Sequence, residues 1–142
     1  MIIVAIIATL VCMAVPVCIR MMDRARITKA IVDIKTIENE IEPYEFEYGQ
    51  LPASLYQIDR AGLKDPWGHP YVYMSFAAAD KEGKNKENKV RKDHSLHPLN
   101  SSYDLCSMGK DGKSVAPLTA EMSRDDIIRA NDGGYVGLAS GY

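Results

Sequence analysis

Residues 1–19 of the chain read MIIVAIIATLVCMAVPVCI and contain no charged side chain. Only Thr9 and Pro16 in this stretch are not apolar. A helix of this length extends roughly 28 Å at its usual rise per residue, which is close to the thickness of the hydrocarbon core of a bilayer. The stretch therefore predicts an apolar helix that is suited to a membrane.

A cleaved secretory signal is the alternative interpretation of the same stretch. The apolar run is longer than the apolar region of a signal peptide, and no basic residue precedes it. No small-residue cleavage site followed by a loop closes it either. We therefore favour a retained anchor, with Pro16 as a position where the helix is kinked or loosened.

The apolar stretch continues into a one-sided pattern with no glycine or loop composition between them. Charged residues begin at Arg20, and apolar residues then recur at steps of three and four. This pattern predicts that the helix goes on as an amphipathic helix whose apolar stripe is covered by the rest of the chain. Pro43 predicts a bend or an early end, and Gly49 with Pro52 marks the stop. The stripe consists of Ile27, Ala30, Ile31, Ile34, Ile37, Ile41, Tyr44 and Tyr48.

The remainder predicts a small antiparallel sheet of about three strands, so the fold class is α+β. A short helix begins near Ala53, and Asp65-Pro66-Trp67-Gly68 has the composition of a type I turn. In the second strand, odd- and even-numbered residues from Tyr103 to Met108 face opposite sides. The predicted strands cover residues 71–75, 103–108 and, more weakly, 134–138.

Residues 77–101 join the first two predicted strands. The centre of this segment, KEGKNKENKVRK at residues 81–92, is basic and predicts a solvated loop. An electrostatic contact with a partner is the alternative interpretation. Asp93, His94 and His97 could form a weak metal site, although histidines in such loops are usually only solvated.

The overall composition excludes several classes of function. The net charge is −2 and the pI is about 5.9, so nothing indicates a nucleic-acid partner. The three cysteines, Cys12, Cys18 and Cys106, have no disulfide or zinc spacing and are expected to be free thiols. No catalytic motif is present, and we interpret the chain as a non-enzyme.

Acidic residues cluster in the last third of the chain. Asp111 lies in a glycine-rich loop, and Asp125 and Asp126 follow further on. Carboxylates and loop carbonyls of this kind suit a hard cation such as Ca²⁺. The alternative is that Ser123 to Asp126 begins a helix, with Asp126 at its N-terminus.

Taken together, these motifs resemble the type IV pilin-like superfamily, and in particular the major pseudopilins of type II secretion systems. The resemblance covers nearly the whole chain. It rests on the apolar helix with its internal proline, on the Gly-Gln-Leu-Pro step after the amphipathic helix, and on two turn motifs. These motifs are GQLP at 49–52, DPWG at 65–68 and SMGKDG at 107–112.

The resemblance implies a structural subunit that polymerises through its N-terminal helix into a helical filament. Residues 1–26 would form the membrane and filament-core helix, and residues 27–142 the globular domain. The implied partners are further copies of the chain, an inner-membrane assembly platform, minor pilins, and the lipid membrane before assembly. The protein would move from the bacterial inner membrane into a periplasmic or extracellular filament. The filament-core positions are Ile3, Ile6, Ile7, Leu10, Val15 and Pro16.

The resemblance also implies a structural Ca²⁺ site formed by Asp111, Asp125 and Asp126, with the Met108 carbonyl as a further ligand. Two features depart from the family. Aligning Pro16 with the family's helix proline implies six residues before Met1, which would hold a glutamate used in assembly. The segment 77–101 and the connection 113–124 are both longer than in the secretion pseudopilins. A membrane-anchored monomeric module, either a binding domain or a small enzyme, remains the alternative.

Overall fold

The structure, a computed structural model, describes residues 2–81, 90–93 and 98–142. Its largest element is helix α1, Ile2–Tyr48, which runs without interruption through Pro16 and Pro43. At the usual rise per residue this helix is about 70 Å long. The predicted early end at Pro43 is wrong. Pro43 is exposed, as is Asn39, whose carbonyl loses its hydrogen-bond partner, and water can satisfy that carbonyl without ending the helix.

The C-terminal half of α1 carries the apolar stripe into the core, as predicted. Ala30, Ile34, Ile37 and Ile41 are buried, and Ile27 and Ile31 pack partly buried at the edge of the same cluster. The stripe ends sooner than the sequence indicates, because Tyr48 is exposed and stacks on Tyr44. The other side of this half remains exposed, so the helix rests on the sheet along one face.

The sheet has four antiparallel strands in the order β1-β2-β3-β4. The three strand predictions are confirmed, and the predicted count of about three is corrected to four by β3. Partners are Val72 with Cys106 between β1 and β2, and Cys106 with Ile128 between β2 and β3. The strands are β1 Val72–Ser75, β2 Tyr103–Ser107, β3 Ile127–Ala130 and β4 Tyr135–Leu138.

Both faces of the sheet are covered. Tyr103, Leu105 and Ile127 pack against α1, while Cys106 and Ile128 face the opposite side with Leu99 and Leu118. This confirms the predicted alternation of Tyr103 and Leu105 against Cys106. Because loops cover the side away from the helix, every residue of β2 and β3 is buried.

The segment between β1 and β2 contributes to this second layer. Val90 and Arg91 are buried, so the interpretation of a solvated loop is wrong for these two residues. Residues 82–89, which hold most of the basic run, lie outside the described residues. His94 and His97 do too, and with them the weak metal site predicted there.

The short elements complete the fold. Helix α2, Phe76–Lys81, follows β1 directly, and the short helix predicted near Ala53 is a 3-10 turn at Leu55–Ile58. The predicted helix start at Ser123 to Asp126 is wrong, because a 3-10 turn at Glu121–Ser123 leads into strand β3 instead. The remaining 3-10 turns are Asn131–Gly133 and Ala139–Gly141.

Three tyrosines between helix and sheet make the fold sensitive to alkaline pH. Burial raises the pKa of Tyr103 to about 12. Burial also raises the pKa of Tyr71, whose hydroxyl donates to Asp33 Oδ2 at 2.9 Å, and that of Tyr73, whose hydroxyl donates to the Pro52 carbonyl at 2.8 Å. In the unfolded chain a tyrosine ionises near pH 10. The raised pKa values mean that the protonated tyrosines stabilise the folded state. This contribution is complete below pH 10 and is lost as pH rises toward the folded-state pKa values.

We expect the free energy of unfolding to fall above pH 10 by about 1.4 kcal/mol per pH unit for each tyrosine that is still protonated in the folded state. Urea unfolding across that range measures the slope. Tyr71→Phe should reduce the slope by about one such contribution, whereas Tyr56→Phe, at a position 79% exposed, should leave it unchanged. Equal slopes for the two variants would contradict this explanation.

Candidate functional site

The predicted calcium loop leaves β2 and folds back onto Asp125, two residues before β3. Gly109 has a φ of +63°, and a Cβ there would overlap the backbone of Asp125. The Asp125 carboxylate uses Oδ2 to accept the backbone N–H groups of Lys110 at 2.8 Å and Asp111 at 3.1 Å. Two consecutive N–H groups on one carboxylate form a backbone anion site, so Asp125 holds the loop in place.

Asp111 and Met108 lie on the same loop. Asp111 is exposed, and its Oδ1 accepts the N–H of Lys113 at 2.8 Å. Met108 is half-buried where the chain leaves β2. Lys110 Nζ lies 3.6 Å from Asp23 Oδ2 on α1, which places the loop beside the helix at the boundary of its apolar half.

Asp126 serves a different partner, the buried guanidinium of Arg91. Its Oδ2 accepts Arg91 Nη1 at 2.7 Å and the hydroxyl of Ser114 at 2.6 Å. Its Oδ1 is buried and has no hydrogen-bond partner among the described residues. Burial raises the pKa of Asp126, and the hydrogen bond from Ser114 and the charge of Arg91 oppose that shift.

The structure therefore brings Asp125 to the loop of Asp111 and directs Asp126 to Arg91. Among residues 2–81, 90–93 and 98–142, no three His, Cys, Asp or Glu side chains come together in a way that could hold a metal ion. A divalent cation bound to Asp126 would also lie close to a fixed positive charge. The calcium site of Asp111, Asp125, Asp126 and Met108 stays a prediction.

Arg91 is the central residue that sequence reasoning missed. It is 7% exposed, although it lies at the end of a run of charged and polar residues. The available signal was Val90, the single large apolar residue in that run, which is 1% exposed. An apolar residue within a charged segment indicates that the chain returns to the core at that point.

The DPWG turn is fastened to the end of β2. Gly68 N–H donates to the Asp65 carbonyl at 3.0 Å, and Asp65 Oδ1 accepts the N–H groups of Trp67 and His69. Ser107, which is fully buried, donates to Asp65 Oδ2 at 2.6 Å. Ser107, His69 and Asp65 therefore hold a turn. The serine hydroxyl is hydrogen-bonded to the carboxylate and not to the imidazole, so the three residues lack the geometry of a nucleophile with its base.

One small cavity lies between the end of α1 and the start of α2. Its volume is about 140 Å³. The residues that line it carry no titratable side chain, so it offers no acid or base for the small-enzyme alternative. These residues are Gln50, Leu51, Ala53, Gln57, Ser75, Ala77 and Ala78.

The N-terminal half of α1 presents apolar side chains to its surroundings. Ile3, Ile7, Leu10 and Val15 are each at least half exposed, and Pro16 is exposed. The side chain of Ile6 lies outside the described residues. In the part of the chain that the structure describes, no helix has the length and apolar character needed to cross a bilayer.

Comparison with known proteins returns no match for this chain among protein-family models, curated proteins or solved structures.

Proposed function

We propose that the chain is a structural subunit of a pilus-like filament, of the type II secretion pseudopilus class, and that it polymerises through the N-terminal half of α1. One observation carries the proposal. A single helix has a C-terminal half covered by a sheet and an N-terminal half in which ten apolar side chains are at least half exposed. These side chains are Ile2, Ile3, Val4, Ile7, Leu10, Val15, Val17, Ile19, Met21 and Met22.

Exposed apolar area of this extent favours association. Burial contributes about 25 cal/mol per Å² of apolar surface removed from water. Because Ile2, Ile3 and Val4 follow one another at 100° steps, the apolar surface extends around the helix and one neighbour cannot cover it. A bundle of several helices in the centre of a filament covers every side.

The charges on α1 support further copies of this chain as the neighbours. Arg20 and Arg24 follow the apolar half, while Glu42, Glu45 and Glu47 are exposed near the other end. The two groups are separated by roughly 30 Å along the axis. Parallel copies shifted by that distance place the arginines of one beside the glutamates of the next, which favours a staggered parallel arrangement.

The remaining partners follow from this function. Before assembly the uncharged residues 1–19 would lie in the bacterial inner membrane, where an assembly platform and minor pilins receive the subunit. After assembly the globular domains decorate a periplasmic or extracellular filament. Nucleic acid has no part in this proposal.

The experiment that tests the proposal is electron microscopy of filaments sheared from cells that express the chain in its own host. The wild type should give uniform thin filaments that contain the protein. Leu10→Asp should abolish them, because burying an unpaired carboxylate among apolar helices costs several kcal/mol. Its globular domain should melt at the wild-type temperature, since Leu10 lies outside the core.

The matched control is Thr119→Asp, which adds the same charge at an exposed loop position of the domain. It should leave filaments intact. Normal filaments from Leu10→Asp would overturn the proposal. Wild-type protein that stays dispersed in the membrane would instead support the anchored monomeric module.

A further inference from the structure

Arg91 is a buried cation held by contacts from several segments. Its Nη1 donates to Asp126 Oδ2 at 2.7 Å and to the Val115 carbonyl at 3.4 Å. Its Nη2 donates to the Ser114 hydroxyl and lies 3.0 Å from Cys106 Sγ. One guanidinium therefore joins β2, the connection 113–124 and the residue that precedes β3.

The backbone around Arg91 is fixed as firmly as its side chain. The N–H of Arg91 donates to Asp104 Oδ2 at 2.8 Å, and its carbonyl accepts the N–H of Leu99 at 3.2 Å. The next residue, Lys92, pairs with the connection, donating to the Ala116 carbonyl and accepting from the N–H of Leu118. These backbone hydrogen bonds hold Arg91 where its side chain reaches Asp126.

A guanidinium here performs what the resemblance assigns to calcium. A cation in this region must compensate Asp126 and fasten the connection after β2 to the start of β3. Arg91 does both through charge-assisted hydrogen bonds. A calcium ion needs six to eight oxygen ligands, yet one oxygen of Asp126 is engaged by Arg91 and Oδ2 of Asp125 by two backbone N–H groups. The charge of Arg91 would also repel a divalent ion at Asp126.

We propose that Arg91 is a built-in substitute for the metal, so that the loop between β2 and β3 is ordered by an internal cation and the fold does not depend on calcium. Arg91 belongs to the segment 77–101, which is longer than in the secretion pseudopilins. The longer connection 113–124 supplies Ser114 and Val115, which accept two of the guanidinium N–H groups.

The test is thermal unfolding of the full chain in detergent micelles, with calcium and with a chelator. The wild-type Tm should be the same in both. Arg91→Met should lower the Tm by roughly 10 °C in chelator, because Asp126 is left buried without its cation. Added calcium should raise the Tm of this variant by several degrees, since Oδ2 of Asp126 is then released from Arg91 and the repelling charge is gone.

Two further variants separate the charge from the packing. Arg91→Met with Asp126→Asn removes both charges and should recover most of the lost Tm while losing the response to calcium. Lys92→Met removes the adjacent, half-exposed cation and should change neither the Tm nor its calcium dependence. A fall in Tm for Arg91→Met no larger than that for Lys92→Met would overturn the proposal.

Direct titration of the wild-type chain with calcium keeps the proposal testable if Arg91→Met does not fold. The expected result is no binding heat and no change in Tm. If the wild type binds calcium, and Asp111→Asn or Asp125→Asn abolishes that binding, the calcium site exists and the proposal that Arg91 takes its place is refuted.

Discussion

Replacing Arg129 with methionine is expected to destabilise the folded domain by about 3–5 kcal/mol, the usual result of removing one partner of a buried ion pair. Arg129 lies on β3 and is 5% exposed. Its Nε donates to Glu38 Oε1 on α1 at 2.8 Å, and its Nη1 donates to Asn100 Oδ1 at 3.1 Å. The guanidinium carbon also lies 4.1 Å from the centre of the Tyr103 ring.

The large effect comes from what Arg129 leaves behind. Glu38 is mostly covered, and its carboxylate lies so close to Gly133 that a Cβ there would overlap it. Without Arg129 it would be a nearly buried charge with no cation beside it. Urea unfolding of the full chain in detergent measures the loss.

Lys29→Met is the matched control for Arg129. It removes a lysine that pairs with Asp33 at 2.9 Å but is 62% exposed, and such surface pairs contribute about 0–1 kcal/mol. The double variant Arg129→Met with Glu38→Gln should cost less than Arg129→Met alone, because no unpaired charge remains. If Arg129→Met and Lys29→Met lose equal stability, Arg129 does not hold helix and sheet together.

Ile37→Ala is expected to cost about 2–5 kcal/mol, from lost burial and the cavity that remains. Ile37 is completely buried in the cluster that joins α1 to the sheet. Alanine has a higher helix propensity than isoleucine, so the loss cannot come from the helix itself.

Val32→Ala provides the comparison on the same helix. Val32 is 55% exposed, so its truncation should change the free energy of unfolding by less than about 0.5 kcal/mol. Denaturant unfolding of both variants, with unchanged m-values, gives the two differences. Similar costs at the two positions would show that the packed face of α1 has been assigned to the wrong side.

The helix and strand β2 were predictable because the residues of each repeat with a regular period, and strand β1 because its residues are aromatic and β-branched. Ala30, Ile34, Ile37 and Ile41 recur at helical steps, and residues 103–107 alternate between two faces. Strand β3 escaped prediction because its four residues show no alternation of apolar and polar side chains. Ile127 and Ile128 are adjacent and both buried, which gives a short apolar run in place of an alternation.

The candidate site was only partly predictable. The sequence placed Asp111 and Asp125 in one region, and the structure brings Asp125 to the backbone of Asp111. The sequence could not show that Asp126 faces Arg91, because the two residues are 35 positions apart and the pairing depends on how the intervening segments fold. Asp126 also resembled a helix N-terminus, since Ser123 precedes it by three residues, yet the chain there enters a strand.

The division of α1 into a packed half and an exposed half also concerns how the helix forms. Starting a helix is costly because the first turn orders several residues for one hydrogen bond, whereas each later residue adds a bond of its own. We expect the half from Ile27 to Ile41 to form together with the sheet, so that packing offsets the cost of the first turn. The helix can then extend into its apolar half without a new first turn. In a subunit outside both lipid and filament, the backbone of the apolar half would open and close locally, while the packed half opens only when the whole domain unfolds.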